Sequence, residues 1–334
     1  MLTIPVMVPS PKLRHALAFF AVFLLLPVAA LGGDEPQLDL QTGPVSKNSG
    51  FSMPGWFVWC GSVIKVGNEY DMFASRWPEA TKFPEGYRNH SEIVRAVASK
   101  PEGPYVFQEV IIGPRAAGKW DSGMAHNPAI YQVGDTFVLY YIGSDVGSHF
   151  RQIGMATAKA VSGPWTRSDQ PLNLGVAGDA NNPAACFAAD GSVKLIWRTA
   201  NLRVCISTAP SYAGPYTLAN SNVWPAAKVE DFSFFKFGGT YHVVCEDNAG
   251  KITGHSRWGA HLVSADGING WQAAPDPVAY DHTIQWTEGG DLMATRRERP
   301  WYLLEGGKPT YLFTAIWDGQ RSWNQPVPVG LPVK

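Results

Sequence analysis

The stretch HNPAIYQVGDTFVLYY, residues 126–141, decides the fold, because its pattern returns along the chain. It reads as a polar pair, His126-Asn127, then an apolar strand opening on Pro128, a Gly134-Asp135 turn and a second apolar strand. Glycine and aspartate supply the positive φ that a tight hairpin between twisted strands requires. Pro128 can be placed over Phe232 of EDFSFFKFGGTYHVVC (230–245) and Pro300 of ERPWYLLEGGKPTYLF (298–313). Gly134, Gly238 and Gly306 then each fall six residues after the anchor. Gly61 and Gly67 of WCGSVIKVGNEYDMF (59–73) keep that spacing, and Pro183 of NNPAACFAADGSVKLIW (181–197) fits with two further residues before Gly191.

A second phrase follows four of these hairpins: AVASKPEGPY (96–105), MATAKAVSGPW (155–165), ISTAPSYAGPY (206–216) and, more loosely, LVSADGINGW (262–271). Each reads as a third strand, a turn and a fourth strand opening on an aromatic. The anchors 61, 128, 183, 232 and 300 are separated by 67, 55, 49 and 68 residues, enough for a four-stranded sheet plus loops. Radial repetition of such sheets predicts an all-β fold, a five-bladed β-propeller. A stacked β-sandwich is the alternative that strand signals alone leave open.

Residues 1–32 have a basic start and the run ALAFFAVFLLLPVAALGG, which reads as a secretory signal peptide. Residues 33–50 are expected to be a linker and 51–334 the propeller, a catalytic domain. Removing Lys12 and Arg14 with the signal takes the formal charge from −1 to −3, with no basic block, so nucleic acid is not an expected partner. No later stretch is apolar enough to span a bilayer, and the expected location is secreted or periplasmic. Cys60, Cys186, Cys205 and Cys245 show no zinc-like spacing, and no disulfide is assigned.

Innermost propeller strands converge on the axis, so the residues just before the anchors are expected to line a funnel. They are Trp59-Cys60, His126-Asn127, Asn181-Asn182, Glu230-Asp231 and Glu298-Arg299. Glycosidic chemistry needs a protonated carboxyl for the leaving oxygen and a second carboxylate to activate water or attack the sugar. Glu230 and Glu298 share one register in blades four and five. Glu230 is expected to be the acid, its pKa raised by Phe232, Phe234, Phe235 and Asp231. Glu298 is the first choice for base or nucleophile. Asp231 follows Glu230 on an extended strand, so it should point the opposite way and support it. A solvated strand end is the bland reading of this pair.

Trp59 is the candidate for stacking on a sugar face, with blade packing as the alternative also for Trp56 and Trp120. His126 and Asn127 are candidates for holding sugar hydroxyls, as is Asn182, with Asp179 nearby. Arg297 and Arg299 are suited to an anionic sugar or phosphate, and Asp121 is a carboxylate just ahead of blade two.

These blade phrases resemble the five-bladed glycoside hydrolases around family 43, with relatives in families 32, 62, 68 and 117. The resemblance implies a secreted glycosidase acting on a plant- or algal-type oligosaccharide or polysaccharide. It also implies a base Asp opening blade one, a pKa-modulating Asp opening blade three and an acid Glu opening blade four. The acid position matches Glu230, but the base position holds Cys60 and the modulator position Asn182. That departure leaves Glu298, Asp231, Asp179 and Asp121 as candidate bases. It also keeps two alternatives open: a glycan-binding propeller without catalysis, and a glycoside phosphorylase clamping phosphate with Arg297, Arg299 and His126. No cofactor or metal is assigned, although the resemblance admits an axial calcium.

Overall fold

A computed structural model of the 334-residue chain describes residues 38–330. The expected signal peptide, 1–32, lies outside the described residues. Blade one is β1 (Trp56–Val66), β2 (Glu69–Pro78), β3 (Glu92–Ala98) and β4 (Val106–Ile112), with a single helical turn, α1 (Tyr87–His90), between β2 and β3. Blade two is β5 (Met124–Val133), β6 (Thr136–Ser144), β7 (Gln152–Ala158) and β8 (Thr166–Arg167). Blade three is β9 (Asn181–Phe187), β10 (Val193–Arg198), β11 (Val204–Ala209) and β12 (Thr217–Asn220). Blade four is β13 (Val229–Phe237), β14 (Thr240–Asp247), β15 (Trp258–Ser264) and β16 (Gln272–Tyr280). A small hairpin follows, β17 (Thr283–Gln285) and β18 (Asp291–Met293), before blade five: β19 (Arg296–Glu305), β20 (Lys308–Trp317) and β21 (Ser322–Pro328). Each blade is an antiparallel meander in chain order, as the repeats require.

Burial distinguishes a ring of blades from a two-sheet sandwich. Alternate residues of one strand face opposite neighbours, and both faces are covered. In β6, Phe137, Leu139 and Tyr141 pack on Phe73, Ile93 and Ile112 of blade one. Val138 and Tyr140 pack on Leu195 and Trp197 of blade three. The remaining interfaces join blade three to four through Ile196 and Phe234, four to five through Val244 and Leu312, and five to one through Phe313 and Met72.

Blade five has three strands of its own, and the N-terminal segment completes it. Thr42 pairs with Val329 and Phe51 with Asn324, both antiparallel to β21. Phe51 and Asn324 exchange backbone hydrogen bonds of 2.9 Å, and Val45 bonds Gln285 and Thr287 of the small hairpin. The expectation of a linker over 33–50 is therefore corrected in its described part: Leu40 and Val45 belong to the core between blades four and five. The polar composition of this segment hid the pairing, because a closing strand needs only backbone groups and a few apolar contacts. Phe51 is 2 % exposed, so Phe51→Ala is expected to lower stability by about 3–5 kcal/mol, measurable by denaturant unfolding. A loss under about 1 kcal/mol would mean the segment does not hold the ring shut. Among the described residues no helix is long and apolar enough to cross a membrane.

Candidate active site on the propeller axis

The same irregularity occurs in all five innermost strands. Pairing with the second strand skips a residue between Trp59 and Ser62, His126 and Ala129, Asn181 and Ala184, Glu230 and Ser233, and Glu298 and Trp301. The bulged residues Cys60, Asn127, Asn182, Asp231 and Arg299 have φ of 56°, 54°, 55°, 62° and 61°. Asn and Asp tolerate this left-handed conformation through local hydrogen bonds, whereas Cys60 and Arg299 are held there at a cost of about 1 kcal/mol each. The five side chains ring one axial cavity of about 30 Å³, room for a water but not for a sugar.

The bulge overturns one expectation. Strand alternation put Glu230 and Asp231 on opposite faces, but alternation requires extended backbone, and φ of 62° at Asp231 removes it. The Asn182 amide bonds the Asp231 carboxyl and lies 3.4 Å from Glu230 Oε2. Both carboxyls therefore serve one site.

The axial ring is linked by hydrogen bonds through the ends of its side chains, with Arg299 Nε left unpaired among the described residues. Arg299 Nη1 pairs with Asp231 Oδ1. With the Asn127 amide oxygen turned to Arg299, that oxygen accepts from Nη1 at 2.6 Å, and the amide nitrogen donates to His126 Nε2 at 3.1 Å. His126 Nε2 is then an acceptor, so Nδ1 carries the proton to Ser91 Oγ at 2.8 Å. Burial first, then the Arg299 charge, holds the His126 pKa well below its ordinary value, so the ring is neutral. Tyr87 stacks on it with centroids 4.6 Å apart. Cys60 Sγ lies 2.9 Å from the Asn127 amide, and burial pushes its thiol far above the ordinary range, so it forms no thiolate base.

Above the axial ring stand the residues one position earlier. Glu230 Oε2 is 2.6 Å from Arg198 Nη2 of β10. Burial acts to raise its pKa, but the Arg198 and Arg299 charges outweigh it, and the net shift is downward. This corrects the expectation of a raised value: Phe232 and Phe234 are buried in the core between blades three and four and leave Glu230 to the arginines. Glu298 lies 2.8 Å from Arg257 Nη1 and 3.6 Å from Arg296 Nη1. The same Arg257 nitrogen is 2.7 Å from Glu246.

Glu246 was missed by the sequence reading, with Arg198 and Arg257. A signal existed for it: counting back from the Gly238-Gly239 turn, with one residue allowed for the bulge, sets Glu246 opposite Glu230. Burial, then Glu298 and Asp231, pushes its pKa well above the carboxylate range. Burial likewise raises Asp231 to about 8, Arg299 opposing and Glu230 and Glu298 adding to the rise.

At neutral pH the site therefore pairs protonated carboxyls behind with an ionised Glu230 in front. A pH dependence follows. The unfolded Asp231 ionises near 3.9, so between about pH 4 and 8 the native state binds a proton that the unfolded chain has lost, and stability falls as pH rises through that window. Asp231→Asn is expected to flatten the decline in melting temperature from pH 4 to 8. An unchanged slope would place the proton elsewhere.

The other sequence candidates are scattered. Trp59 is 5 % exposed and packs edge-on against Phe83 at 5.2 Å, in an aromatic cluster rather than on the axis. Asp121 is buried between Arg115 and Arg167, each at 2.6 Å, with Tyr141 Oη donating to it at 2.7 Å. It fastens blade two and is not beside Glu230. Trp120 stacks on Tyr141. Asp179 accepts from the Arg151 and Asn181 nitrogens. Arg297, 1 % exposed, donates to the carbonyls of Asp281 and Thr283, so the phosphate clamp of Arg297, Arg299 and His126 is not assembled.

Oxygens of Asp231, Glu246 and Glu298 come within 4.8 Å of one another, a spacing that suits a divalent ion. The surrounding residues do not fit one. Arg299 places a fixed cation against Asp231, and Arg257 another between Glu246 and Glu298. A chelator is expected to leave the melting temperature unchanged, and a fall of several degrees restored by calcium would contradict that assignment.

No protein-family model matches the chain, and no curated protein matches it. Solved structures match its fold. Zg3597, a family 117 glycoside hydrolase from the marine bacterium Zobellia galactanivorans, is similar over 88% of this chain and 91% of that one, with a TM-score of 0.65 and 15% identity. An α-L-arabinofuranosidase from Podospora anserina, solved with cellotriose, is similar over 88% and 99%, with a TM-score of 0.62 and 13% identity. A family 43 β-xylosidase/α-arabinofuranosidase from a compost microbial metagenome, solved with xylotriose in a calcium-free form, is similar over 88% and 96%, with a TM-score of 0.62 and 11% identity. The chain thus shares the five-bladed propeller of these hydrolases.

Proposed function

We propose that the protein is a glycoside hydrolase acting on an oligosaccharide at the wide end of the axis. Export fits a plant- or algal-type substrate. The observation that carries the reading is the pair Glu230 and Glu298: one register, adjacent blades, and side chains 17% and 10% exposed, while Asp231 and Glu246 behind them are each 1% exposed.

The roles are reversed from those read off the sequence. Glu230, kept ionised by Arg198, suits the base or nucleophile. Glu246 and Glu298 share Arg257 Nη1, and burial keeps a proton on Glu246. Glu298, the more exposed of the two, presents that proton to the leaving oxygen, and Glu246 is the buried store behind it. Asn182 orients Glu230 and Asp231 rather than modulating charge.

The test is hydrolysis of plant and algal oligosaccharides by the purified chain, with Glu298→Gln beside wild type. Turnover by wild type, lost with Glu298→Gln, supports the assignment. A second reading, a propeller that binds glycan without cleaving it, draws on the buried neutral Cys60 at the family's base position. It is favoured if wild type binds oligosaccharides and releases no sugar.

A further inference from the structure

We propose that the sugar taken by this site is anionic, bearing a carboxylate or sulfate that pairs with Arg257 and Arg296; the inference rests on the glycosidase reading above. What the site exposes is cationic and what it buries is anionic. Arg257 and Arg296 are 42% and 35% exposed, more than any of the four carboxyl groups they stand over. Arg257 meets both Glu246 and Glu298 through Nη1 alone, which leaves Nε and Nη2 without a hydrogen-bond partner among the described residues. That free edge is the fork that binds carboxylate or sulfate through two parallel hydrogen bonds.

Its placement is built. Arg257 has φ of 67°, an uncommon conformation for a long side chain, and the loop around it imposes it. Its N–H donates to the Asp247 carbonyl at 2.7 Å, and the Asp247 carboxylate accepts from the backbone nitrogens of Lys251, Ile252 and Thr253. Arg296 makes only the 3.6 Å approach to Glu298, and its guanidinium lies 5.7 Å from the centre of the Phe83 ring, itself stacked on Trp317 at 4.0 Å. An arginine laid on an aromatic shelf keeps its donor edge free.

Charge balance points the same way. Arg198, Arg257, Arg296 and Arg299 face Glu230, Asp231, Glu246 and Glu298. Burial keeps Asp231 and Glu246 protonated at neutral pH, so guanidinium groups exceed ionised carboxylates. A neutral sugar leaves that excess uncompensated; an anionic one neutralises it.

The test compares matched probes: oligogalacturonides with their methyl esters, and a sulfated galacto-oligosaccharide with its unsulfated form. Hydrolysis and calorimetric binding are both measured. The anionic member of at least one pair is expected to be favoured by tenfold or more in kcat/KM and in affinity. That preference should weaken with salt and narrow in Arg296→Gln. Preference within the first pair identifies a carboxylate, within the second a sulfate. Cleavage of neutral members as well as anionic ones overturns the inference and leaves the glycosidase reading standing. Preferential binding of an anionic member without cleavage keeps the inference and overturns that reading. Binding of none of the probes overturns both.

Discussion

Glu230→Gln is expected to lower kcat by about a thousandfold or more while the protein stays folded. The glutamine keeps the shape and one acceptor, so Asn182 and Arg198 retain a partner. What disappears is the negative charge that activates water or attacks the sugar, and such a loss costs about 10²–10⁴ in rate from general acid–base catalysis alone. Since Glu298 acts in the same step, Glu230→Gln with Glu298→Gln should be little worse than either alone, as for residues that act as a unit. The measurement is kcat on the cleaved oligosaccharide, with near-ultraviolet circular dichroism to show intact packing. Retention of a tenth of wild-type turnover in Glu230→Gln would sink the assignment and move the base to Asp231.

The second large effect is on stability. Arg299→Met is expected to destabilise the protein by about 3–5 kcal/mol, the cost of taking a buried cation from the ionised Glu230 that it offsets and its donor from Asp231. Arg299 is the only cation in the axial ring. It is bonded to Asp231 and Asn127, and it also offsets Glu230 and Glu298. Without it, the Asp231 carboxyl, two amides and the Cys60 thiol face one another around a water-sized cavity, with Glu230 and Glu298 left above them without that cation. Asp231 stays protonated in both proteins below about pH 8; above it the variant lacks the cation that lets Asp231 ionise, so the gap between variant and wild type should widen as pH rises through about 8. Asp231→Asn in the Arg299→Met background should restore about half of the lost stability. An Arg299→Met protein that melts within about 2 °C of wild type at pH 8 would show that the ring does not depend on the cation.

The sequence by itself determined the architecture. Six residues from anchor to hairpin glycine, repeated from Gly61 to Gly306, set the number of blades, while the choice of a ring over a sandwich rested on the burial of both faces of strands such as 137–142 in the structure. The sequence also lined up the five residue pairs that open the innermost strands, because the hairpin spacing lets them be found by counting, although Trp59 turned out to pack in an aromatic cluster away from the axis. The order of blades around the ring, the hairpin turns and the shared register of Glu230 and Glu298 in neighbouring blades followed from chain connectivity alone.

Only the tertiary structure decided what those residues are chemically. Glu230 was read as an acid from its aromatic sequence neighbours, but side chains adjacent in a strand face different environments, and the group that sets its charge is Arg198, 32 positions away in another blade. Asp231 was read as pointing away, because the rule of alternation holds for extended backbone and a bulge is not legible from composition. Glu246 comes from the second strand of blade four, where only counting across the hairpin marks it, and Arg257 from the loop after it, where the sequence shows no repeat. Residues 38–50, the described part of the expected linker, looked like one because closing a ring is a long-range event, settled by where β21 ends and not by what the segment contains. Spacing is a local property and survives in one dimension. Protonation, pairing and closure depend on distances across blades, which exist only once the chain is folded.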